Sequence, residues 1–398
     1  MKNIIFVLLL LCTVILADAQ NEKSIRFEEN KTWKEIVRQA EKEKKLIFLD
    51  CYTSWCGPCK YLALYVFTDG GVADFFNVNF VNAKLDMEKN ADGVMLKKQF
   101  GVSSYPTLIF VDPRSGKAVH RMVGAGNPEW LIAGGKLAMD PDKNLRGLME
   151  RYESGERDPG LMRDYAGVLF TAYAREEAAR VACEYLDTLP VDSLVIRENW
   201  QMIKRIVSDP LSPVLKRVMT EREKFYTAFG QKEVDVKLEK SVSAAVKVFT
   251  DWNLKRKPFD EKGNQELIDY LKNIDFYAAP AGLAGLYTAA YARKKDFRGM
   301  LNKMDEVFSY NLLRNEAKFS YFRDNIRSLG DCGDKELIEE GIQRIDRSLG
   351  EYKGALDKSN LMKVKAFLQT KLGDQAGAEL AGKEAEKYLQ EFYRERKK

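Results

Sequence analysis

Two cysteines separated by two residues, in Trp55-Cys56-Gly57-Pro58-Cys59-Lys60, stand between a fully apolar run and a stretch with helical spacing. No other feature constrains the chain as strongly, because this one sets a pair of thiols at a strand-to-helix junction. Leu46-Ile47-Phe48-Leu49 is apolar at both alternations, which suits a central strand covered on both faces, as in an α/β sheet. A helix is expected to start at Cys56 and run through Tyr61, Leu64 and Tyr65, breaking near Asp69-Gly70-Gly71. Unpaired amides and the dipole at a helix start stabilise negative charge, so Cys56 is expected to be exposed and readily ionised. Cys59, one turn later and more buried, lies on the same face and can attack the first sulfur from behind. Pro58 limits the conformations open to the turn.

A metal half-site and a plain structural disulfide are the other readings of such a pair. Zinc would need two more ligands, yet His120 is the only histidine and Cys51 belongs to the preceding strand. No metal is expected.

Around this junction, residues 24–139 alternate strand-like and helix-like stretches. Thr32-Trp33-Lys34-Glu35 reads as a capping box, followed by Trp33, Ile36, Val37 and Ala40 at helical spacing. Residues 80–86 read as a strand, 91–100 as a helix, 107–111 as a strand, and Asp112-Pro113-Arg114-Ser115-Gly116 as a turn into a strand over 117–123. Asn127 as N-cap and Pro128 at the first helical position open a helix over 129–139.

From about residue 140 the texture changes to helical periodicity broken by short Gly, Pro and Asp turns. Helices are expected over 161–173, 176–189, 234–252, 281–293, 337–349, 361–372 and 375–393. Lys295-Asp296-Phe297 and Leu372-Gly373-Asp374 separate paired helices, and Ala376, Ala378, Ala381 and Ala385 would let neighbours approach closely. These pairs resemble tetratricopeptide-like hairpins, but the period of about 34 residues is absent, so an irregular all-helical domain stands equally.

A chain of 398 residues exceeds what one core organises, so more than one domain is expected. Its first residues combine Lys2, an apolar run reaching Leu16, and the small-x-small pattern Ala17-Asp18-Ala19. That combination reads as a signal peptide over residues 1–19, with a retained anchor as the alternative. Leu11 ahead of Cys12 argues against lipidation. Cleavage would leave Cys51, Cys56, Cys59, Cys183 and Cys332, a poor set for a disulfide-stapled scaffold. Cys51 reads as a buried inert thiol, Cys183 and Cys332 as a possible pair, and His120 as surface or satisfied packing on a strand. With 64 basic against 59 acidic residues the net charge is +5, which exerts no strong pull toward nucleic acid.

Residues 24–139 resemble the thioredoxin superfamily, and the resemblance rests on several positions. Trp55–Lys60 reproduces the family's Trp-Cys-Gly-Pro-Cys-Lys. Asp50 stands six positions before the first cysteine, Lys84 on the next central strand, Tyr105-Pro106 ahead of the apolar strand Thr107-Leu108, and Gly124 at the end of the final strand. The insert over 68–79 is similar to that of reductase domains of the bacterial envelope. The resemblance implies an α/β thioredoxin-like domain over residues 20–139. The all-α helical-hairpin domain, tetratricopeptide-like or irregular, would follow over 140–398.

It also implies roles. Cys56 and Cys59 would be the catalytic dithiol, and Asp50, buried with a raised pKa, would accept the Cys59 proton while Lys84 tunes it. A cis Pro106 would bring the Tyr105 backbone beside Cys56 and, with Trp55 and Gly124, bind an extended substrate. No separate cofactor is implied, since the Cys56–Cys59 disulfide is itself the redox group. The implied partners are protein or peptide thiols and disulfides, a membrane electron donor, and a protein partner on the helical domain. The expected activity is reduction or isomerisation of disulfides outside the cytoplasm, in the periplasm. Two alternatives stay open: an oxidase with the same cysteines, and a helical peptide-binding or scaffold protein with an accessory redox domain.

Overall fold

A computed structural model describes residues 24–250, 259–310, 313 and 315–395. The expected signal peptide over 1–19 and the end of the helix expected over 234–252 lie outside them. Among the described residues no helix is long and apolar enough to cross a membrane.

Both halves of the predicted capping box form at the first helix, α1 (Trp33–Glu43). The Glu35 N–H donates to the Thr32 hydroxyl at 3.4 Å, and the Thr32 N–H donates to the Glu35 carboxylate at 2.8 Å. Lys44, at φ 55°, ends the helix and turns the chain into β1 (Leu46–Tyr52), which is buried from Ile47 to Cys51. β2 (Phe80–Asp86) lies parallel to β1 on one side. β3 (Thr107–Asp112) lies antiparallel on the other, with β4 (Lys117–Val123) antiparallel outside it, giving the order β2-β1-β3-β4. Beyond β2, Phe27 bridges to Asn82 and the Glu28 N–H donates to the Asn82 carbonyl at 2.8 Å.

Strand alternation divides the side chains between two cores. Phe48, Phe110 and Met122 meet Leu62, Val66 and Phe76 on one face, while Ile47, Leu49 and Ile109 meet Ile36, Ala40 and Leu96 on the other. Each such side chain contributes about 1.5–3 kcal/mol when fully buried, so helices are held on both faces of the sheet. The helices concerned are α1 together with α2 (Gly57–Tyr61), α3 (Gly70–Asn79), α4 (Ala91–Gln99) and α5 (Pro128–Met139). Residues 62–66 continue α2 as a wider π-type turn. Asp69, expected to mark a break, also starts α3 by accepting the Val72 N–H at 2.9 Å.

No strand occurs among the described residues after Val123. The chain forms two compact units, one up to Val207 and one from Ser208. In the first, the sheet is followed by α6 (Leu145–Glu153), α7 (Pro159–Thr171), α8 (Arg175–Asp187), α9 (Val191–Leu194) and α10 (Arg197–Ile206). Thus the strands end before residue 140, while the unit that carries them continues. α6 and α7 lie against β4.

His120 is satisfied packing rather than surface: it is buried, and its Nδ1 accepts the Leu145 N–H at 3.2 Å. Its neighbour Arg121, pointing to the opposite face, borders a cleft with the α7–α8 turn. The helical extension therefore straddles the outermost strand.

The second unit contains only helices among its described residues. They are α11 (Pro213–Thr220), α12 (Arg222–Phe229), α13 (Gln231–Thr250), α14 (Glu261–Lys272), α15 (Ala279–Arg293), α16 (Phe297–Ser309), α17 (Asn315–Ser328), α18 (Lys335–Ser348), α19 (Ala355–Leu372) and α20 (Gln375–Glu395). Gly373, at φ 85°, turns α19 into α20, and the Ser359 hydroxyl donates to the Ala385 carbonyl at 2.8 Å. Of the four alanines expected at this contact, Ala381 and Ala385 are buried, Ala378 is half-buried and Ala376 is exposed. Five residues before Ala381, Ala376 is rotated about 140° away from the contact stripe.

Candidate active site

Cys56 is the N-cap of α2, so the helix proper begins at Gly57, one residue later than expected. The Cys56 N–H donates to the Thr53 carbonyl at 3.2 Å, and the Cys56 Sγ accepts the Cys59 N–H at 3.1 Å. A disulfide joins Cys56 to Cys59 across this first turn. Cys56 was expected to be exposed, but its relative exposure is 3 %, against 4 % for Cys59. The bond draws both sulfurs into the turn and leaves Gly57 and Pro58 outside. On reduction the Cys56 sulfur would keep an amide N–H pointing at it, an arrangement that favours the thiolate.

No disulfide joins Cys183 and Cys332, which lie in different units. Among the described residues no group of three or more His, Cys, Asp or Glu side chains is placed to hold a metal ion.

Asp50 lies on β1 with Phe48 and Tyr52, on the face covered by Leu62, Val66 and Phe67 of the segment that follows the cysteines. It is fully buried, and Lys84, opposite it in the β1–β2 register, brings Nζ to 3.6 Å from Oδ2. Burial pushes the Asp50 carboxyl up to about 6, with Lys84 pulling the other way. The Lys84 ammonium sits 4.9 Å from the Tyr52 ring centroid, 5.4 Å from that of Phe67 and 5.7 Å from that of Phe27. Cys51 points to the opposite face, fully buried, and burial with the Asp50 charge raises its thiol well above the usual range. It is the inert core cysteine that alternation suggests.

Trp55 projects outward, 65 % exposed, with its ring edge-on to Tyr105 at 5.8 Å. The Tyr105-Pro106 peptide bond is cis. Gly124, at φ 98°, donates its N–H to the Pro106 carbonyl at 2.9 Å, so the ends of β3 and β4 meet here. A side chain at that φ would be strained, which is why glycine suits the position. The structure thus gathers Trp55, Tyr105, Pro106 and Gly124 at one end of the sheet and Asp50 with Lys84 in its interior.

Two further residues at this end of the sheet belong to no motif of the sequence. Glu88 accepts the Trp55 indole N–H at 2.9 Å, and Lys97 lies 5.5 Å from the Tyr105 ring centroid. For Glu88 a local signal existed: the Asp86 carboxylate accepts the Glu88 and Lys89 N–H groups in a turn that follows β2.

Residues 24–134 match the family model described as Thioredoxin. Thioredoxin H2 of Arabidopsis thaliana is 30% identical over 113 residues, 28% of this chain and 77% of that protein. Thioredoxin H5 of the same plant is 36% identical over 97 residues, 24% of this chain and 75% of that protein. A solution structure of a candidate disulphide isomerase from Bacteroides thetaiotaomicron is 48% identical, covers 30% of this chain and 97% of its own, and has a TM-score of 0.28.

Proposed function

This chain belongs to the thioredoxin family and is a thiol–disulfide oxidoreductase carrying the Cys56–Cys59 pair; on that premise we propose that it reduces or isomerises protein disulfides outside the cytoplasm. The observation that carries the reading is the Cys59 N–H aimed at the Cys56 Sγ, just after a strand whose buried Asp50 carboxyl is pushed up to about 6 by burial.

In the reduced protein the Cys56 thiolate attacks a substrate disulfide, forming a mixed disulfide and releasing one substrate thiolate, which takes a proton from water. The Cys59 thiol gives its proton to Asp50 and attacks the Cys56 sulfur. That restores the Cys56–Cys59 disulfide and releases the second substrate thiolate. Two electrons leave the dithiol in each cycle, so a donor dithiol must return them. Lys84 holds Asp50 near the pH at which it can exchange a proton, and Trp55, Tyr105, Pro106 and Gly124 seat the substrate backbone.

Gly-Pro between the cysteines favours the reducing direction, since thioredoxin lies near about −270 mV whereas the strong oxidant type lies near about −120 mV. The apolar run and Ala17-Asp18-Ala19 support export, and a membrane reductant would then supply electrons in an oxidising compartment.

The test is an insulin-type disulfide reduction assay with a measured reduction potential. Cys56→Ser should abolish turnover and Cys59→Ser should accumulate mixed disulfides with substrates. Full turnover by either variant overturns the mechanism, and a potential close to the oxidant value reverses the direction.

A further inference from the structure

Within the first unit, a cleft of about 240 Å³ lies between the sheet domain and the turn that joins α7 to α8. Ser103, Ser104, Arg121 and Val123 form one side, and the turn over 172–174 forms the other. The cleft adjoins the substrate-seating backbone at two points. Ser104 precedes Tyr105, whose ring meets Trp55, and Val123 precedes Gly124, which is bound to Pro106. A polypeptide running past the cysteines along Tyr105 would pass the mouth of this cleft.

Its chemistry is one-sided. Among the described residues Arg121 is the one charged side chain in the lining, and no carboxylate pairs with it there. Its two Nη groups donate to the carbonyls of Phe100 at 2.9 Å and Gly101 at 3.3 Å, while the buried Nε–H has no acceptor among the described residues. On the opposite wall Tyr173 stands at φ 67° and 56 % exposed. Behind it the Arg175 guanidinium lies 3.4 Å from the Phe170 ring centroid and 4.8 Å from that of Tyr173, and Arg205 lies 4.9 Å from that of Phe170. Among the described residues the cleft is thus lined by one guanidinium, that of Arg121, and by no carboxylate, with Arg175 and Arg205 stacked on the rings behind its outer wall. Its complement is an anionic side chain.

We infer that this cleft is a specificity subsite, which takes an aspartate or glutamate of the substrate polypeptide near its reacting cysteine, with Arg121 as countercharge and Tyr173 as outer wall. The inference rests on the disulfide-reductase reading and adds to it a class of substrate. It also gives the helical extension a part in choosing that substrate.

Full-length reduced protein is assayed with two disulfide peptides that differ only in a glutamate or a lysine two residues from the cysteine. A preference for the acidic peptide of about fivefold in kcat/KM is expected at low salt, shrinking as salt rises, as for one partly exposed charge pair. Ala174→Asp is the decisive variant. Ala174 is the N-cap of α8 and makes no side-chain cap bond, so aspartate there favours the fold while adding a carboxylate to the cleft. It should bring the ratio to about one or below. Arg121→Gln should lower the ratio as well. Equal rates for the two peptides in the unmodified protein, or an unchanged ratio in Ala174→Asp, overturns the subsite alone. Failure to reduce either peptide overturns the reductase reading, and the subsite with it.

Discussion

Asp50 and Lys84 face each other across the β1–β2 register, and their charged atoms stop 3.6 Å apart, beyond a hydrogen bond. Neither Asp50 oxygen has a hydrogen-bond donor among the described residues. Burial therefore outweighs the neighbouring ammonium, and the carboxyl stays protonated to about pH 6.

Asp50→Asn should stabilise the protein at pH 8. The folded pKa, about 6, lies above the usual 3.8, so the protonated carboxyl contributes fully below 3.8 and its contribution is lost as pH rises through about 6. The ionised, buried form then costs up to roughly 3 kcal/mol. Urea unfolding at pH 8 and pH 4 checks this, and an Asn variant with the same advantage at both would refute it.

Lys84→Met removes the one charge that lowers the Asp50 pKa. The pH at which substrate reduction accelerates, near 6 if Asp50 accepts the Cys59 proton, should move upward. A pH–rate profile checks it, and an unmoved midpoint would uncouple Lys84 from the carboxyl.

His120 runs against Asp50. Burial holds its imidazole down to about 4 from the usual 6.5, so its contribution is complete above pH 6.5 and lost as pH falls through about 4. Compared with His120→Gln, the unmodified protein should lose up to roughly 3 kcal/mol between pH 7 and pH 4. Protonation would also set a charge against the Leu145 N–H that Nδ1 now accepts. A difference between the two proteins that is independent of pH would exclude this account.

Trp55→Ala removes the indole bond to Glu88 and the ring contact with Tyr105 but sacrifices little core packing, because Trp55 is 65 % exposed. KM for a peptide disulfide should rise several-fold while stability stays within about 0.5 kcal/mol. A stability loss above about 2 kcal/mol would show that the indole supports the fold rather than the substrate.

The sheet domain was legible because its signals are local. Thr32 and Glu35 cap α1 as read, the spans of β2 and β4 agree with the structure, and Asn127-Pro128 opens α5. The pairing of Asp50 with Lys84 followed from family resemblance, since strand register is a non-local property. The burial of Cys56 was not legible, because a helix N-terminus says nothing about which way a bonded sulfur turns.

Helices α6 and α10 are not among the helices expected after residue 140, being short stretches of nine and ten residues close to turn residues. What escaped altogether was the return of the extension onto β4. It depends on a single histidine nitrogen and on side chains far apart in the chain.

That return has a consequence for the sheet's resistance to aggregation. A sheet exposed to unfolded polypeptide invites a stray segment to dock along its rim and seed clumping. Here one rim meets the bridge between Phe27 and Asn82, and the other is flanked by α6, whose Leu145 N–H is held by His120, and by α7. Neither rim is left as a long bare border for another polypeptide to zip onto.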